Sequence, residues 1–160
     1  MSSHWKSVRT IQAASAEDRS HFTVLVVDDH ADSLFYAQQA IEIFGYSAMV
    51  LEEGERAVEM AKACDPAVIL LDICLRDVNG FEVIAQLKQD RKTAHIPVVA
   101  ATALVADSDK AQAIAAGFDG FLAKPYTLSD LESALEQYVP RQATDLSMQA
   151  SAAFAERVRV

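Results

Sequence analysis

Short apolar runs, each ending in a polar residue, recur along this chain. FTVLVV (22–27) runs into Asp28 and Asp29, AVILL (67–71) into Asp72, PVVAA (97–101) into Thr102, and GFLA (120–123) into Lys124 and Pro125. The first three, without apolar/polar alternation, read as strands buried on both faces, and GFLA as a further strand. Ser47 to Leu51 reads as one more, shorter strand. Between the strands the apolar residues recur at helical spacing. A helix starts at Asp32 and Ser33, which offer N-cap oxygens, and runs to Phe44 with Gly45 as its stop. Its inward stripe is Ala37, Ala40, Ile41 and Phe44, which turns Phe35 to the opposite side with Gln38, Gln39 and Glu42. A second helix covers 54–63 with Ala57, Val58 and Ala61 inward, and a third begins at Gly80 with Phe81, Val83, Ile84 and Leu87 inward. A fourth, Asp107 to Ala116, stops at Gly117. The last starts at Thr127, turns Leu128, Leu131, Leu135 and Val139 inward, and closes at Pro140.

Strands alternating with helices make an α/β protein, and right-handed crossovers make its sheet parallel. The repeat fills residues 22–139, about the size of one domain. Residues 1–21 mix Ser, Ala and charges and read as an extension that is mobile or loosely docked. In the tail, 140–160, Leu146, Ala150, Phe154 and Val158 fall near four-residue spacing, which predicts an extra amphipathic helix. Its apolar side is a candidate homodimer surface.

Charge narrows the partners. The net charge is −9 over the 160 residues, but residues 21–140 carry 19 acids against 8 bases, a net of −11. An acidic body with no Lys/Arg cluster excludes sequence-independent nucleic-acid binding. It suits a cation or a basic partner. No apolar run is long enough to span a bilayer, and the N-terminus lacks the apolar centre of a secretory signal, so a soluble, cytoplasmic protein is expected. Two cysteines, Cys64 and Cys74, form neither a disulfide framework nor a metal-ligand pattern.

In a parallel sheet the residues just past each strand share one edge, where open α/β sheets place their chemistry. That rule gathers Asp28, Asp29, Asp72, Thr102 and Lys124 on a single rim. Carboxylates packed together repel, and keeping them ionised requires a cation. Lys124 supplies one charge, and a hard divalent ion with oxygen ligands, Mg²⁺ most naturally, supplies more. A cation placed there is suited to phosphoryl transfer, which needs an in-line nucleophile and positive charge on the equatorial oxygens.

The acidic pair, the VILLD strand end, Gly80 eight residues beyond Asp72, Thr102 thirty residues beyond it, Phe121 and the Lys124-Pro125 pair occur in that order. In this pattern residues 22–139 resemble the receiver domain of two-component response regulators, of the stand-alone type. The resemblance implies a flavodoxin-like, doubly wound sheet of order 2-1-3-4-5 with five helices. It implies that Asp72 is the phosphoacceptor, taking a phosphoryl group from a phosphohistidine, and that Mg²⁺ is held by Asp29 directly, by Asp28 through water, by Asp72 and by the Cys74 carbonyl. Lys124 then pairs with a phosphoryl oxygen, Thr102 swings its hydroxyl onto another, and Phe121 stands at the switch aromatic. A cis Lys124-Pro125 bond is implied as well. The implied partners are a sensor histidine kinase or histidine phosphotransfer protein, met near Phe35, and a downstream protein target reached without direct DNA contact. Such a protein phosphorylates and dephosphorylates its own Asp and is not a turnover enzyme.

Two positions depart from the pattern. Arg76 stands where the family often has Pro, adding a positive charge near the site, and Phe121 replaces the commoner Tyr. His30, beside the acidic pair, reads as a solvent-facing loop residue and not a ligand. The rival reading is a Mg²⁺-dependent phosphohydrolase with an Asp nucleophile, but DDHAD lacks the DxDxT pattern and no cap segment is present. A dinucleotide-binding module fails because the turn VVDDHADS has no glycine to cradle a diphosphate.

Overall fold

The apolar runs divide their side chains between two faces. In the computed structural model, which describes residues 19–140, they form β1 (Thr23–Val27), β2 (Ser47–Leu51), β3 (Val68–Leu71), β4 (Val98–Thr102) and β5 (Gly120–Ala123). All pair in parallel, in the order β2-β1-β3-β4-β5. The helices are α1 (Ala31–Ile43), α2 (Ala57–Cys64), α3 (Gly80–Gln89), α4 (Asp107–Ala116) and α5 (Leu128–Tyr138). Strand side chains alternate in direction. Leu25, Val27, Ile69, Leu71 and Val98 therefore pack under α2, α3 and α4, while Val24, Val26, Val68, Leu70 and Val99 pack under α1 and α5. Both faces of β3 and β4 are covered, which is why those sequences carry no alternation.

Helix ends follow the expected chemistry at several points. Gly45 (φ 93°) and Gly117 (φ 112°) take the left-handed conformation after α1 and α4. Thr127 Oγ1 accepts from the Asp130 N–H at 3.1 Å, and Asp130 returns the bond to the Thr127 N–H at 2.9 Å. Asn79, which sequence reasoning passed over, caps α3 by accepting from the Phe81 N–H at 2.9 Å.

Other expectations need correction. α1 begins at Ala31 behind His30, not at a cap from Asp32 or Ser33, because the His30 N–H is already held by Asp28 Oδ1 at 2.9 Å. Its buried stripe includes Leu34, while Phe44, just past the last turn, is half-buried. The helix expected over 54–63 opens as a 3-10 turn, Gly54–Arg56, before α2. Leu128 is exposed (45 %) and does not face inward, since the first residue after the cap precedes the first packed turn. The described end of the extension agrees with the docked alternative: Arg19 pairs with Glu136 at 3.5 Å and lies over the Tyr46 ring at 5.3 Å, and Ser47 Oγ donates to the Ser20 carbonyl at 2.6 Å. The expected tail helix, with its dimer surface at Leu146, Phe154 and Val158, lies outside the described residues. No helix among the described residues is long and apolar enough to cross a membrane.

Candidate functional site

Register brings the acids together. β1 lies between β2 and β3 with Val27 opposite both Leu51 and Leu71, so Asp28 and Asp72 leave the sheet side by side. Their main-chain N–H groups donate across to Leu51 and Val27, which extends the sheet by one residue on each side of β1. Asp28 and Asp72 are each only 4 % exposed, and the Asp29 side chain 10 %.

Buried carboxylates need partners. Lys124 reaches in from the end of β5, bonded to Asp28 Oδ2 and, at 3.1 Å, to Asp72 Oδ2. The peptide bond after it, Lys124-Pro125, is cis, as expected. Burial draws the ammonium's pKa down, but the Asp28 hydrogen bond and the charges of Asp72 and Asp28 outweigh it and hold Lys124 above the ordinary lysine value. Asp72 Oδ1 accepts from the Cys74 N–H at 3.0 Å, which turns the chain sharply beyond the acid. Asp29 Oδ2 accepts from the Arg76 N–H at 2.8 Å, and Arg76 Nε lies 3.7 Å from the same oxygen.

Asp29 Oδ1 is buried and has no hydrogen bond. His30 Nδ1 lies 3.0 Å from it and 3.2 Å from Asp28 Oδ1. His30 is solvent-facing as expected, with its side chain 57 % exposed, yet its ring nitrogen belongs to the acid cluster. One ligand atom each from Asp28, Asp29, His30 and Asp72 lies within 4.8 Å of the others. An unbonded buried carboxylate oxygen inside a set dominated by oxygen donors fits a hard divalent cation.

The remaining predicted residues surround this core. Thr102 is fully buried at the end of β4, and its carbonyl accepts from the Lys124 N–H at 2.9 Å, so hydroxyl and ammonium stem from bonded neighbours. Thr102 Oγ1 accepts a 3.4 Å bond from the Leu104 N–H, which uses a lone pair and not the hydroxyl proton. Phe121, opposite Ala100, is half-buried against the core, with Lys110 Nζ 5.7 Å from its ring. Gly80 closes in from below: a Cβ there would lie 2.5 Å from Ile73 Cα and 2.7 Å from the Asp72 carbonyl oxygen, so only glycine lets α3 approach the acid loop.

Sequence reasoning missed the cleft beside the acids. It measures about 480 Å³ and is lined by Tyr36, Tyr126, Pro125, Ala103 and Lys124, together with Asp32 and Ser33. The two tyrosine rings stand 5.8 Å apart. Burial, with the nearby charges of Asp28, Tyr36 and Asp72, pushes the Tyr126 hydroxyl up to about 12. Phe35, the residue before Tyr36 in α1, is 65 % exposed. The signal for Tyr126 was its position directly after Lys124-Pro125 on the same rim.

Comparison with known proteins agrees with this geometry. The family model described as "Response regulator receiver domain" matches residues 24–136. The polar-differentiation response regulator DivK of Brucella ovis is 30 % identical over 117 residues, covering 73 % of this chain and 95 % of that protein. DivK of Brucella anthropi matches to the same extent. Among solved structures, the chemotaxis protein CheY4 of Vibrio cholerae superposes with a TM-score of 0.70 at 23 % identity, covering 74 % of this chain and 98 % of that one. The receiver domain of the sensor histidine kinase PA1611 of Pseudomonas aeruginosa, described with a magnesium ion coordinated in its active-site cleft, gives 0.68 at 23 % identity over 73 % and 96 %. The strand order, the acid-lined sheet edge and the family match together place this chain among the response regulator receiver domains, the phosphoacceptor modules of two-component signalling.

Proposed function

We propose that Asp72 is the phosphoacceptor of this receiver and that Asp28, Asp29 and Asp72, with the Cys74 carbonyl, hold Mg²⁺ beside it. One observation carries the reading: a single ammonium, Lys124, is bonded to both Asp28 and Asp72, which joins the ends of β1, β3 and β5 into one pocket. Bound there, Mg²⁺ supplies positive charge toward phosphoryl oxygens.

The side chains do the rest. The Cys74 N–H and Lys124 orient the Asp72 carboxylate, one on each oxygen, so it meets a donor as a fixed nucleophile. A carboxylate oxygen attacks the phosphorus of a phosphohistidine; the O–P bond forms, the P–N bond breaks, and the imidazole leaves with the electron pair and takes a proton from solvent. The product is an acyl phosphate. It adds about two negative charges and new acceptor oxygens to a site whose donors are already placed. Lys124 stays protonated and follows the charge, Thr102 turns its unused proton onto a phosphoryl oxygen, and the space it leaves admits Phe121 from β5. The loops after β3 and β4 move with those donors, which changes the surface offered to a downstream protein.

The donor is a sensor histidine kinase or a histidine phosphotransfer protein, docking beside Phe35 and the Tyr36–Tyr126 cleft. The protein works as a signalling switch and not by turnover of free substrate. Labelling the Asp72→Asn variant with a phosphohistidine donor in Mg²⁺ tests both points. The unaltered chain takes one phosphoryl group per molecule and Asp72→Asn takes none. Full labelling of Asp72→Asn, or release of phosphate from the donor that persists in Asp72→Asn, contradicts the reading.

A further inference from the structure

Arg76 occupies an unusual place in the acid loop. It is four residues beyond Asp72, on the strand-to-helix connection after β3, yet it meets the acid at the end of β1. Its N–H donates to Asp29 Oδ2 at 2.8 Å, and its Nε lies 3.7 Å from the same oxygen, while the side chain as a whole is 81 % exposed. The other Asp29 oxygen, Oδ1, is buried without a hydrogen bond and faces the cluster of Asp28, His30 and Asp72.

These contacts divide the Asp29 carboxylate into an anchored oxygen and an open one. A main-chain N–H is a donor that any residue except proline provides, and bonding to it fixes the plane of the carboxylate. The guanidinium is a different matter, because it is permanently charged and sits at the mouth of a site that otherwise collects anions. A unit charge there opposes entry of a divalent ion and partly neutralises Asp29 without one. Being exposed, it can leave at little cost and is screened by salt.

We infer that Arg76 is a positioning residue for the cation site: its N–H holds Asp29 so that Oδ1 is presented as the ligand, and its guanidinium lowers the affinity for a divalent ion. The inference rests on the cation reading of the same site. A site weakened in this way loads with metal only where Mg²⁺ is plentiful or where an anionic phosphoryl donor arrives and offsets the arginine charge.

Calorimetric titration of the full chain with Mg²⁺ at low ionic strength tests it. Arg76→Ala keeps the N–H and removes the charge, and its affinity rises about three- to ten-fold. Arg76→Lys stays within about two-fold of the unaltered chain, and raising the salt concentration shrinks the Arg76→Ala difference. Arg76→Pro removes the N–H as well and binds Mg²⁺ about ten-fold more weakly than Arg76→Ala. Equal affinities for Arg76→Ala and the unaltered chain, or a rise in Arg76→Lys as large as in Arg76→Ala, overturn the role of the charge. Equal affinities for Arg76→Pro and Arg76→Ala overturn the role of the N–H. Should the unaltered chain and Asp29→Asn both fail to bind Mg²⁺, the cation reading itself falls and takes this inference with it, whereas loss confined to Asp29→Asn leaves that reading standing whatever the Arg76 variants do.

Discussion

Lys124 Nζ lies 3.1 Å from Asp72 Oδ2, across 52 positions of sequence, and shares its other contact with Asp28. The ammonium is thus the resting counter-charge of the Asp72 carboxylate. Removing it in Lys124→Met leaves two buried acids facing each other, and the expected cost is about 1–3 kcal/mol in metal-free buffer. Urea unfolding checks this. Adding Mg²⁺ is expected to restore more stability to Lys124→Met than to the unaltered chain, since the variant has the larger unbalanced charge.

Alkaline pH probes the same corner. Tyr126, raised to about 12 from an ordinary value of 10.0, keeps its proton in the folded chain where the unfolded chain has lost it. Its contribution is fully present below about pH 10 and is lost as pH rises toward 12, and the raised Lys124 titrates in the same sense at and above the ordinary lysine range. Because Tyr126 is partly exposed, its share is about 1–2 kcal/mol over that interval. Urea midpoints measured at about pH 9 and about pH 11.5 should fall less in Tyr126→Phe than in the unaltered chain. An identical fall in both proteins counts against the assignment.

Gly80 sets the distance between α3 and the acid loop. In Gly80→Ala the new Cβ meets main-chain atoms of Asp72 and Ile73, which cannot rotate away. The variant should lose about 2 kcal/mol of stability and, through the displaced Asp72, label with acetyl phosphate more slowly. Thermal melting together with labelling rates separates this from a simple helix-propensity effect, which would favour alanine.

Phe35 should matter only to the donor protein. It is exposed, so Phe35→Ala should keep its stability within about 0.5 kcal/mol and its labelling by acetyl phosphate unchanged. Transfer from the kinase or phosphotransfer protein should slow. Unaltered transfer kinetics would remove Phe35 from the docking surface.

The centre of the sheet was legible because β3 and β4 are buried on both faces, so Val68–Leu71 announced itself without alternation and its end located Asp72. The rim followed from topology alone, and Lys124 lies where the parallel order puts it. Local competition among hydrogen bonds was harder to read. His30 and not Asp32 precedes α1 because the Asp28 carboxylate takes the His30 N–H, so an acid read as a site residue also shapes the helix start. The tight turn that opens the second helix starts at Gly54, which is pressed against Leu75 and Val78 of the acid loop, where a Cβ would come within 2.6 Å of each, a contact no local pattern shows. The Arg76 to Asp29 bond spans 47 positions, and no local pattern encodes it. The Tyr36–Tyr126 cleft depends on two rings from separate elements meeting, which spacing within either element does not reveal.

The most direct measurement of the central claim is chemical localisation of the phosphoryl group. The full chain is treated with a phosphoryl donor in Mg²⁺, the acyl phosphate is trapped by borohydride reduction to homoserine, and the peptides are sequenced by mass. Conversion at residue 72 alone, lost when Mg²⁺ is chelated, is the predicted result. Conversion at Asp28 or Asp29, or a label that resists borohydride and so is no acyl phosphate, would contradict the account.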